Sequence, residues 1–291
     1  MTDVITILAD LDKAPLDNAF IEGLLPSLTL HDITVEKIQW RKQAVACDLF
    51  TSHALAATIR TILADQPYDA IVQEVATRRK KLLISDMDST MITVECIDEL
   101  ADFVGKKAEV SEVTERAMNG ELNFEQALIA RVALLKGLPQ EALQECYDAR
   151  VKMMAGAKAL LAAHNKAGGH SILVSGGFTF FTSRVREALG FHEDYSNQLI
   201  IKDGALTGEV AMPILGKEAK LATLHASCEK LGITADDVLA IGDGANDLPM
   251  LLAAGLGVAY HAKPTVRAQA QHQLNHCDLS ALIYTQGLND Q

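Results

Sequence analysis

The stretch Lys81-Leu-Leu-Ile-Ser-Asp-Met-Asp-Ser-Thr-Met91 decides how this 291-residue chain is interpreted. Its apolar run, Leu82 to Ile84, is typical of a strand buried in a parallel sheet. Two carboxylates, Asp86 and Asp88, follow directly, so we expect them at the carboxyl edge of the sheet, where open α/β sheets bind ligands. Two acids this close repel each other unless a cation or a proton intervenes. For an isolated Asp-x-Asp a solvated polar turn is the simpler interpretation, so the motif needs partners elsewhere in the chain.

The composition excludes some classes of partner. An apolar share of 49% is ample for two or three compact units, and the net charge of -12 argues against nucleic-acid binding. No apolar run approaches the ~20 residues that cross a bilayer, and the stretch from Met1 to Val4 lacks the start of a signal peptide. We therefore expect neither a nucleic-acid nor a membrane partner.

Cysteine usage favours a reducing compartment. The five cysteines are an odd number, they are scattered, and they form no Cys-x-x-Cys pair. Reduced thiols in a cytoplasmic protein are the simple interpretation. The cysteines are Cys47, Cys96, Cys146, Cys228 and Cys277.

Three further polar motifs follow the acid pair along the chain. They are Ser175-Gly-Gly-Phe178, Lys220, and Gly242-Asp-Gly-Ala-Asn-Asp247, and the first and last come directly after apolar runs typical of strands. The order acid pair, hydroxyl, lysine, acid pair resembles the haloacid dehalogenase (HAD) superfamily of phosphatases. In that superfamily the first motif is Asp-x-Asp-x-Thr/Val, which Asp86-Met-Asp88-Ser-Thr90 fits at each position.

The resemblance implies a catalytic role and a metal role for these acids. Asp86 would be the nucleophile that forms an aspartyl phosphate, and it would also bind Mg²⁺. Asp88 would be the general acid and then the general base, with its backbone carbonyl on the metal. Asp243 would complete the metal site, and Lys220 would neutralise charge on the phosphoryl group.

The same resemblance assigns the phosphate-binding groups. Ser175, the backbone N–H of Gly176, and Asn246 would hold phosphoryl oxygens, while Asp247 would hold a metal-bound water or Lys220. Simpler alternatives remain open, because Ser-Gly-Gly is an ordinary turn and the motif from 242 to 247 could be a helix-capping turn. Lys217, three residues before Lys220 on the same predicted helix, is a competitor for the lysine role.

Four residues between the first two motifs are similar to the substrate-binding set of phosphoserine phosphatases within the superfamily. There a glutamate binds the amino group, an arginine binds the carboxylate, and a methionine and a phenylalanine line the site; here the matching residues are Glu95, Arg131, Met118 and Phe124. A zwitterion needs one anion and one forked cation, which guanidinium supplies. Glu95 could instead serve only a helix dipole, and Arg131 could be a surface residue.

The function implied is Mg²⁺-dependent hydrolysis of O-phospho-L-serine to L-serine and phosphate, the final step of serine biosynthesis. One alternative is a HAD phosphatase for another small phosphomonoester, such as phosphohomoserine or a sugar phosphate. Another is an amino-acid sensor whose catalytic body is vestigial. A substrate panel separates the first alternative from phosphoserine hydrolysis, and trapping of Asp86 with fluoroberyllate and Mg²⁺ separates the second.

Alternating strands and helices over residues 79–291 predict a doubly wound, parallel, Rossmann-like HAD core, with a helical-bundle cap inserted at about 93–153. Residues 1–78 read β-α-β-β-α-β, the order of a ferredoxin-like α+β fold, and look like an ACT-like regulatory domain. Such a unit can bind an amino acid or only dimerise, so a homodimer is an open alternative.

The basic run Arg78-Arg-Lys-Lys81 is interpreted as a solvated linker. His272-x-x-x-His276-Cys277 has helical spacing and predicts a polar helix face rather than a metal site.

Overall fold

The computed structural model describes residues 2–118 and 121–289, without the side chains of Ala117, Met118 and Lys217. The chain forms two main sheets. Residues 3–74 build a four-stranded antiparallel sheet, and residues 82–274 contribute a six-stranded parallel sheet. In the described residues, no helix combines the length and apolar character that a membrane crossing requires.

The antiparallel sheet carries two helices and has the strand order β2-β3-β1-β4. The alternating β-α-β-β-α-β order predicted from the sequence is observed, with ends that differ by a few residues. Every residue of β3 is buried, β1 is buried apart from the half-buried Asp3, and β2 and β4 leave residues exposed. The elements are β1 (Asp3–Ala9), α1 (Asn18–Thr29), β2 (Val35–Lys42), β3 (Ala46–Thr51), α2 (Ala56–Ile62) and β4 (Tyr68–Glu74).

The rest of the chain alternates strands with helices, as the pattern predicts. Its elements are β5 (Leu82–Ser85), α3 (Cys96–Phe103), α4 (Lys107–Met118), α5 (Phe124–Ala133), α6 (Glu141–Arg150), α7 (Ala157–Lys166), β6 (His170–Phe178), α8 (Thr179–Leu189), β7 (Glu193–Asn197), β8 (Leu199–Lys202), β9 (Ala205–Val210), α9 (Lys217–Leu231), a 3₁₀ turn (Ala235–Asp237), β10 (Val238–Gly242), α10 (Leu248–Ala253), β11 (Leu256–Tyr260), α11 (Pro264–Arg267), β12 (His272–Leu274) and α12 (Ala281–Thr285).

The parallel sheet has the strand order β12-β11-β10-β5-β6-β7 and is covered on both faces. On β5, Leu83 packs into one apolar cluster, while Leu82 and Ile84 pack into another. Successive side chains of a strand point to opposite faces, so a strand covered on both sides is apolar throughout. This confirms the parallel α/β core and explains why the run before Asp86 is continuous rather than alternating.

Four helices, α3 to α6, follow β5 in the sequence before the chain returns to the parallel sheet through α7 and β6. Asn123 begins α5, since its side chain accepts from the N–H of Gln126 and the Gln126 side chain accepts in turn from the N–H of Asn123. Pro139 lies before α6 rather than in its first turn, and it forms a bridge with Ala205, the first residue of β9.

The hairpin of β8 and β9 packs against the end of this helical segment. The N–H of Gly137 donates to the carbonyl of Leu206 at 2.8 Å. Gly208 lies inside β9 with a φ of +82°. A Cβ there would lie 2.9 Å from Cβ of Lys136, so glycine allows the hairpin to approach the helices closely.

The basic run at 78–81 is not a solvated linker, and that prediction is wrong for two of its residues. Arg78 is 6% exposed and Lys80 is 3% exposed. The Arg78 guanidinium donates to both carboxylate oxygens of Asp48 on β3, at 2.8 and 2.7 Å, and to the carbonyls of Tyr284 and Thr285 around α12. The run therefore joins the antiparallel sheet to the last helix of the chain.

A second polar contact ties the two sheets together where β12 ends. The carboxylate of Asp69 on β4 accepts three backbone hydrogen bonds, each 2.9 Å long, from Asn275, His276 and Cys277. The helix expected from the His272-x-x-x-His276 spacing is wrong, since residues 272–274 form strand β12. Neither histidine belongs to a group of metal-ligating side chains in the part of the chain that the structure describes.

Candidate active site

The carboxyl edge of the parallel sheet brings the sequence motifs together. β5 and β10 are neighbours, with Ser85 opposite Ile241, and the N–H of Asp86 donates to the carbonyl of Ile241 at 3.0 Å. Asp86 therefore leaves β5 beside Asp243, which leaves β10. The two acids lie 157 positions apart in the sequence but at adjacent strand ends, as the pattern of polar residues after buried strands predicts.

Lys220 on α9 lies between two carboxylates. Its Nζ is 2.7 Å from Oδ1 of Asp86 and 2.6 Å from Oδ1 of Asp247, and the residue is only 2% exposed. Burial alone would lower the pKa of Lys220, but the charges of Asp86 and Asp247 outweigh burial and raise it. Lys220 therefore remains an ammonium group. The side chain of its competitor Lys217 lies outside the described residues.

Three carboxylates form one cluster at this edge. Oxygen atoms of Asp86, Asp243 and Asp247 all lie within 4.8 Å of one another. Burial, with the charge of Asp247, raises the pKa of Asp86 well above its usual range and that of Asp243 to about 6. Thr90 donates to Oδ1 of Asp243 at 3.1 Å. One ammonium group does not balance three carboxylates, so the cluster fits a further cation with a preference for oxygen ligands.

The loop after β10 holds Asp247 in this cluster. Oδ2 of Asp247 accepts from the N–H of Gly244 at 2.9 Å, so the carboxylate is used inside the loop and does not cap α10. A Cβ on Gly242 would lie 2.4 Å from Cγ of Asp247. Glycine at 242 is therefore required for Asp247 to reach Lys220. Asn246, in the same loop, lines the pocket above.

Asp88 points to the other side, toward β6. Its Oδ1 accepts from the N–H of Cys96 at 2.9 Å, and its Oδ2 accepts from the hydroxyl of Ser175 at 3.2 Å. Burial, and then the charge of Glu95, raises the pKa of Asp88 to about 6. A carboxyl with this pKa exchanges a proton near neutral pH, which is what general acid–base catalysis requires.

Ser175 and Gly176 lie inside β6 rather than in a loop after it. The strand continues to Phe178 through an irregular register beyond Val174, so the sequence placed the strand end too early. Sequence analysis also missed Asn197, which is 1% exposed and donates to the carbonyls of Gly176 and Leu215 at 2.9 and 3.2 Å. A buried amide at the end of a short strand carries no motif that could reveal this role.

A pocket of ≈ 410 Å³ opens above these residues, and helices α3, α4 and α5 supply its other wall. Glu95 and Arg131, predicted from the sequence, both line it. Oε1 of Glu95 accepts from the hydroxyl of Ser89 at 2.7 Å. Burial lowers the pKa of Arg131, and its Nε donates to the carbonyl of Ala127, at 3.3 Å on its own helix, while its two outer nitrogens form no hydrogen bond with a residue that the structure describes. The outer fork of the guanidinium is therefore available to a ligand.

Phe124 closes the pocket over β6. A Cβ on Gly176 would lie 2.9 Å from Cζ of Phe124, so the aromatic ring rests directly on the glycine. The side chain of Met118, the fourth residue predicted here, lies outside the described residues. The pocket also has lining residues that the sequence did not reveal. They are Ser89, Ile97, Asp98, Thr114, Leu128, Gly177, Phe178, Gly244 and Lys263.

Comparison with known proteins agrees with this geometry. Residues 83–252 match the family model of the haloacid dehalogenase-like hydrolases. The chain is 49% identical over 208 residues to a phosphoserine phosphatase from a Polaromonas species, a match that covers 70% of this chain and 88% of that one.

Solved structures are similar both to the whole chain and to its larger part. A HAD family hydrolase from Salmonella enterica serovar Typhi matches 98% of both chains at 27% identity, with a TM-score of 0.87. A phospho-aspartyl intermediate analogue of a phosphoserine phosphatase matches 71% of this chain and 98% of that chain, at 39% identity and a TM-score of 0.65.

Proposed function

Because this chain belongs to the phosphoserine phosphatases of the haloacid dehalogenase-like hydrolases, we propose that it hydrolyses O-phospho-L-serine to L-serine and phosphate. One observation carries the proposal. The carboxylate of Asp86 is bonded to a buried lysine beneath a pocket whose opposite wall holds the guanidinium of Arg131 and the carboxylate of Glu95. That combination suits a substrate with a phosphate, a carboxylate and an ammonium group.

Asp86 is the nucleophile in this proposal. Its Oδ1 accepts from Lys220 and from the N–H of Met87, at 2.7 and 2.8 Å, so the carboxylate is held in one orientation. Attack of a carboxylate oxygen on phosphorus forms an aspartyl phosphate and breaks the bond to the serine oxygen. Lys220 balances the charge that develops on the phosphoryl oxygens, and a group fixed before the reaction needs no reorganisation during it.

Asp88 carries the proton in both halves of the reaction. In its protonated form it donates to the departing serine oxygen, and as a carboxylate it then takes a proton from the water that attacks the aspartyl phosphate. Proton and leaving group therefore balance over one turnover. Its hydrogen bonds from Cys96 and Ser175 hold the carboxyl between the nucleophile and the pocket.

Mg²⁺ is the proposed cofactor. The cluster of Asp86, Asp243 and Asp247 offers hard oxygen ligands and an uncompensated negative charge, which is the donor set this ion prefers. We assign Asp86, Asp243 and the backbone carbonyl of Asp88 as its ligands, with Asp247 in support through Lys220. When bound, Mg²⁺ offsets the repulsion between the carboxylate nucleophile and the phosphate dianion.

The remaining site residues divide the substrate between them. Ser175, the N–H of Gly176, and Asn246 take phosphoryl oxygens in this proposal, since they line the pocket beside Asp86 and Asp88. Glu95 takes the ammonium group and Arg131 the carboxylate. Phe124, and Met118 by the resemblance alone, cover the apolar part of the substrate.

The flanking regions have proposed roles as well. Helices α3 to α6, within the predicted insertion at about 93–153, would act as a cap that closes over the substrate and excludes water. Residues 1–78 would form an ACT-like unit for amino-acid regulation or dimerisation, attached to a phosphatase body at 79–291. Five cysteines without disulfide bonds, all buried, support a cytoplasmic location.

Steady-state rates on a substrate panel test the proposed function. We expect kcat/KM for phosphoserine to exceed that for phosphohomoserine, sugar phosphates and p-nitrophenyl phosphate by at least about tenfold. Arg131→Ala should lower kcat/KM for phosphoserine by about 30- to 100-fold, because a charge-assisted bidentate pair contributes about 2–3 kcal/mol. The same substitution should leave kcat/KM for p-nitrophenyl phosphate, which has no carboxylate, within about threefold of the wild-type value. An Arg131→Ala enzyme that spares phosphoserine and loses the other esters would contradict the assignment.

A further inference from the structure

One cation of the pocket has no part in the mechanism above. Lys263 lines the pocket at the carboxyl end of β11, the strand beside β10. Ala259 on β11 lies opposite Gly242 on β10, the residue before Asp243. Lys263 therefore lies at the same edge of the sheet as the cluster of Asp86, Asp243 and Asp247. It lies on the side of the sheet edge away from Ser175, which is carried by β6.

The backbone at this position is fixed. Ala262 and Val266, on either side of Lys263, are buried, and the N–H of His261 donates to the carbonyl of Leu274 on β12 at 2.9 Å. Lys263 itself is extended, with φ -60° and ψ 151°, and Pro264 begins α11 directly after it. The Cα of Lys263 is thus anchored at the pocket, while its side chain is exposed and ends in a mobile ammonium group.

The ammonium group of Lys263 forms no hydrogen bond or ion pair with any residue that the structure describes. Lys220, by comparison, is bonded to two carboxylates. The pocket around Lys263 is acidic, since five carboxylates line it against two cations, Arg131 and Lys263. The carboxylates are Asp86, Asp88, Glu95, Asp98 and Asp243. A phosphate dianion that enters such a pocket is repelled unless a cation offsets the field.

We propose that Lys263 is a further substrate-binding residue, which attracts and contacts the phosphate group of the incoming ester. The assignment deepens the proposed function and rests on it for the identity of the ester. Phosphate is favoured over the substrate carboxylate because Lys263 lies on the sheet edge with Asp243, whereas Arg131 lies on α5 above. A lysine with three unpaired donors is a point charge suited to a dianion.

The test compares Lys263→Gln with Lys263→Arg and with a matched control, Lys37→Gln. Lys37 is exposed on β2 in the other sheet, so its replacement makes the same charge change far from the pocket. For each variant we would measure kcat and KM on phosphoserine and on p-nitrophenyl phosphate at low and high salt, and the inhibition constant of inorganic phosphate. Thermal unfolding would verify that each variant is folded.

Lys263→Gln should lower kcat/KM about tenfold for both esters and raise the phosphate inhibition constant about tenfold, because one charge-assisted contact is lost. The kcat of Lys263→Gln should stay within about threefold of the wild-type value, and its kcat/KM should depend less on salt concentration. Lys263→Arg should recover the loss to within about threefold, and Lys37→Gln should match wild type.

Two results would overturn the assignment. In the first, Lys263→Gln equals Lys37→Gln in kcat/KM and in phosphate inhibition. In the second, the loss is confined to phosphoserine, which would move the contact to the amino-acid part of the substrate. A failure of the proposed function looks different. Wild type would then show no preference for phosphoserine, while Lys263→Gln would still lose rate on every ester and would still support the phosphate contact.

Discussion

Two buried clusters of charged side chains in the described residues differ in their surroundings, and the one around Asp86 lies beneath the pocket at the carboxyl edge of the parallel sheet. In the first, Lys220 sits between Asp86 and Asp247. In the second, Arg78 is paired with Asp48, and Arg41 contacts the same carboxylate. Both use an ion pair to hold together segments far apart in the sequence.

The clusters differ in how completely their charges are matched. The Arg78 guanidinium uses its donors on Asp48, Thr6 and two backbone carbonyls, so little remains for a ligand. The Lys220 cluster holds three carboxylates to one ammonium group, and burial raises the pKa of Asp86. An ion pair whose hydrogen-bonding groups are all used stabilises the fold. A cluster with excess negative charge below a pocket instead favours the binding of a cation and, with it, a substrate.

The largest expected effect separates the two clusters by activity. Asp86→Asn should lower kcat by at least about 10⁴-fold, because the nucleophile is lost while the side-chain shape is kept. Asp48→Asn is the matched control. It removes a buried carboxylate of the other cluster and should leave kcat of the folded enzyme within about twofold. Single-turnover phosphate release measures both, and equal losses in the two variants would erase the distinction.

Replacing the cation of each cluster, Arg78 or Lys220, should separate an effect on stability from an effect on activity. Arg78→Met leaves Asp48 with fewer partners and should lower the free energy of unfolding by about 3–5 kcal/mol, as the loss of one partner of a buried pair does. Its kcat should stay within about twofold. Lys220→Met should lower kcat by about 10²- to 10³-fold, because a fixed charge at the reacting group is removed. Urea unfolding and steady-state rates on both variants provide the measurement.

Magnesium should stabilise only through the unbalanced cluster. Saturating Mg²⁺, at about 100 times its dissociation constant, adds about 2.7 kcal/mol to a native state that alone binds it. That corresponds to a rise of several degrees in the unfolding temperature. Asp243→Asn should abolish most of the rise, and Arg78→Met should retain it. Thermal scans with Mg²⁺ and with a chelator test this, and a full rise in Asp243→Asn would move the site elsewhere.

The smallest effect concerns the acid sensitivity of the fold at His272, a buried histidine on β12 outside both clusters. Burial, together with the charges of Arg60 and Lys80, lowers the pKa of His272 to about 4. Between pH 6.5 and 4 the unfolded chain binds a proton on this histidine that the native state does not, so stability falls as the pH falls. His272→Gln should remove about 2–3 kcal/mol of the loss between pH 7 and 4.5. Urea unfolding at the two pH values measures it, and an unchanged loss would contradict the assignment.

The same contrast explains what the sequence could predict. Asp86, the proposed nucleophile, and Asp243, a proposed metal ligand, each follow directly after a buried strand. A parallel sheet brings the carboxyl ends of its strands to one edge, so the two acids could be placed together before any coordinates. The role of Arg78 could not be predicted, because Arg78 lies in the segment between β4 and β5 and its partner Asp48 lies 30 residues earlier, inside β3. A carboxylate inside the otherwise apolar run of β3 was the available signal.

One further prediction failed, and two residues were missed, because short elements carry little pattern. The spacing of His272 and His276 suits a helix, yet His272–Leu274 form a three-residue strand, β12, at the edge of the sheet. Lys263 and Asn197 follow or end short strands without a recognisable motif, so only the pocket and the hydrogen bonds identify them.

Chemical trapping of the phosphorylated enzyme tests the central claim most directly. Enzyme mixed with phosphoserine and Mg²⁺ is quenched with acid within a turnover, the acyl phosphate is reduced with borohydride, and peptide mass spectrometry locates the product. The account predicts homoserine in place of aspartate at position 86, absent in Asp86→Asn. Reduction at Asp88 or Asp243, or turnover of phosphoserine without any reducible carboxylate, would contradict it.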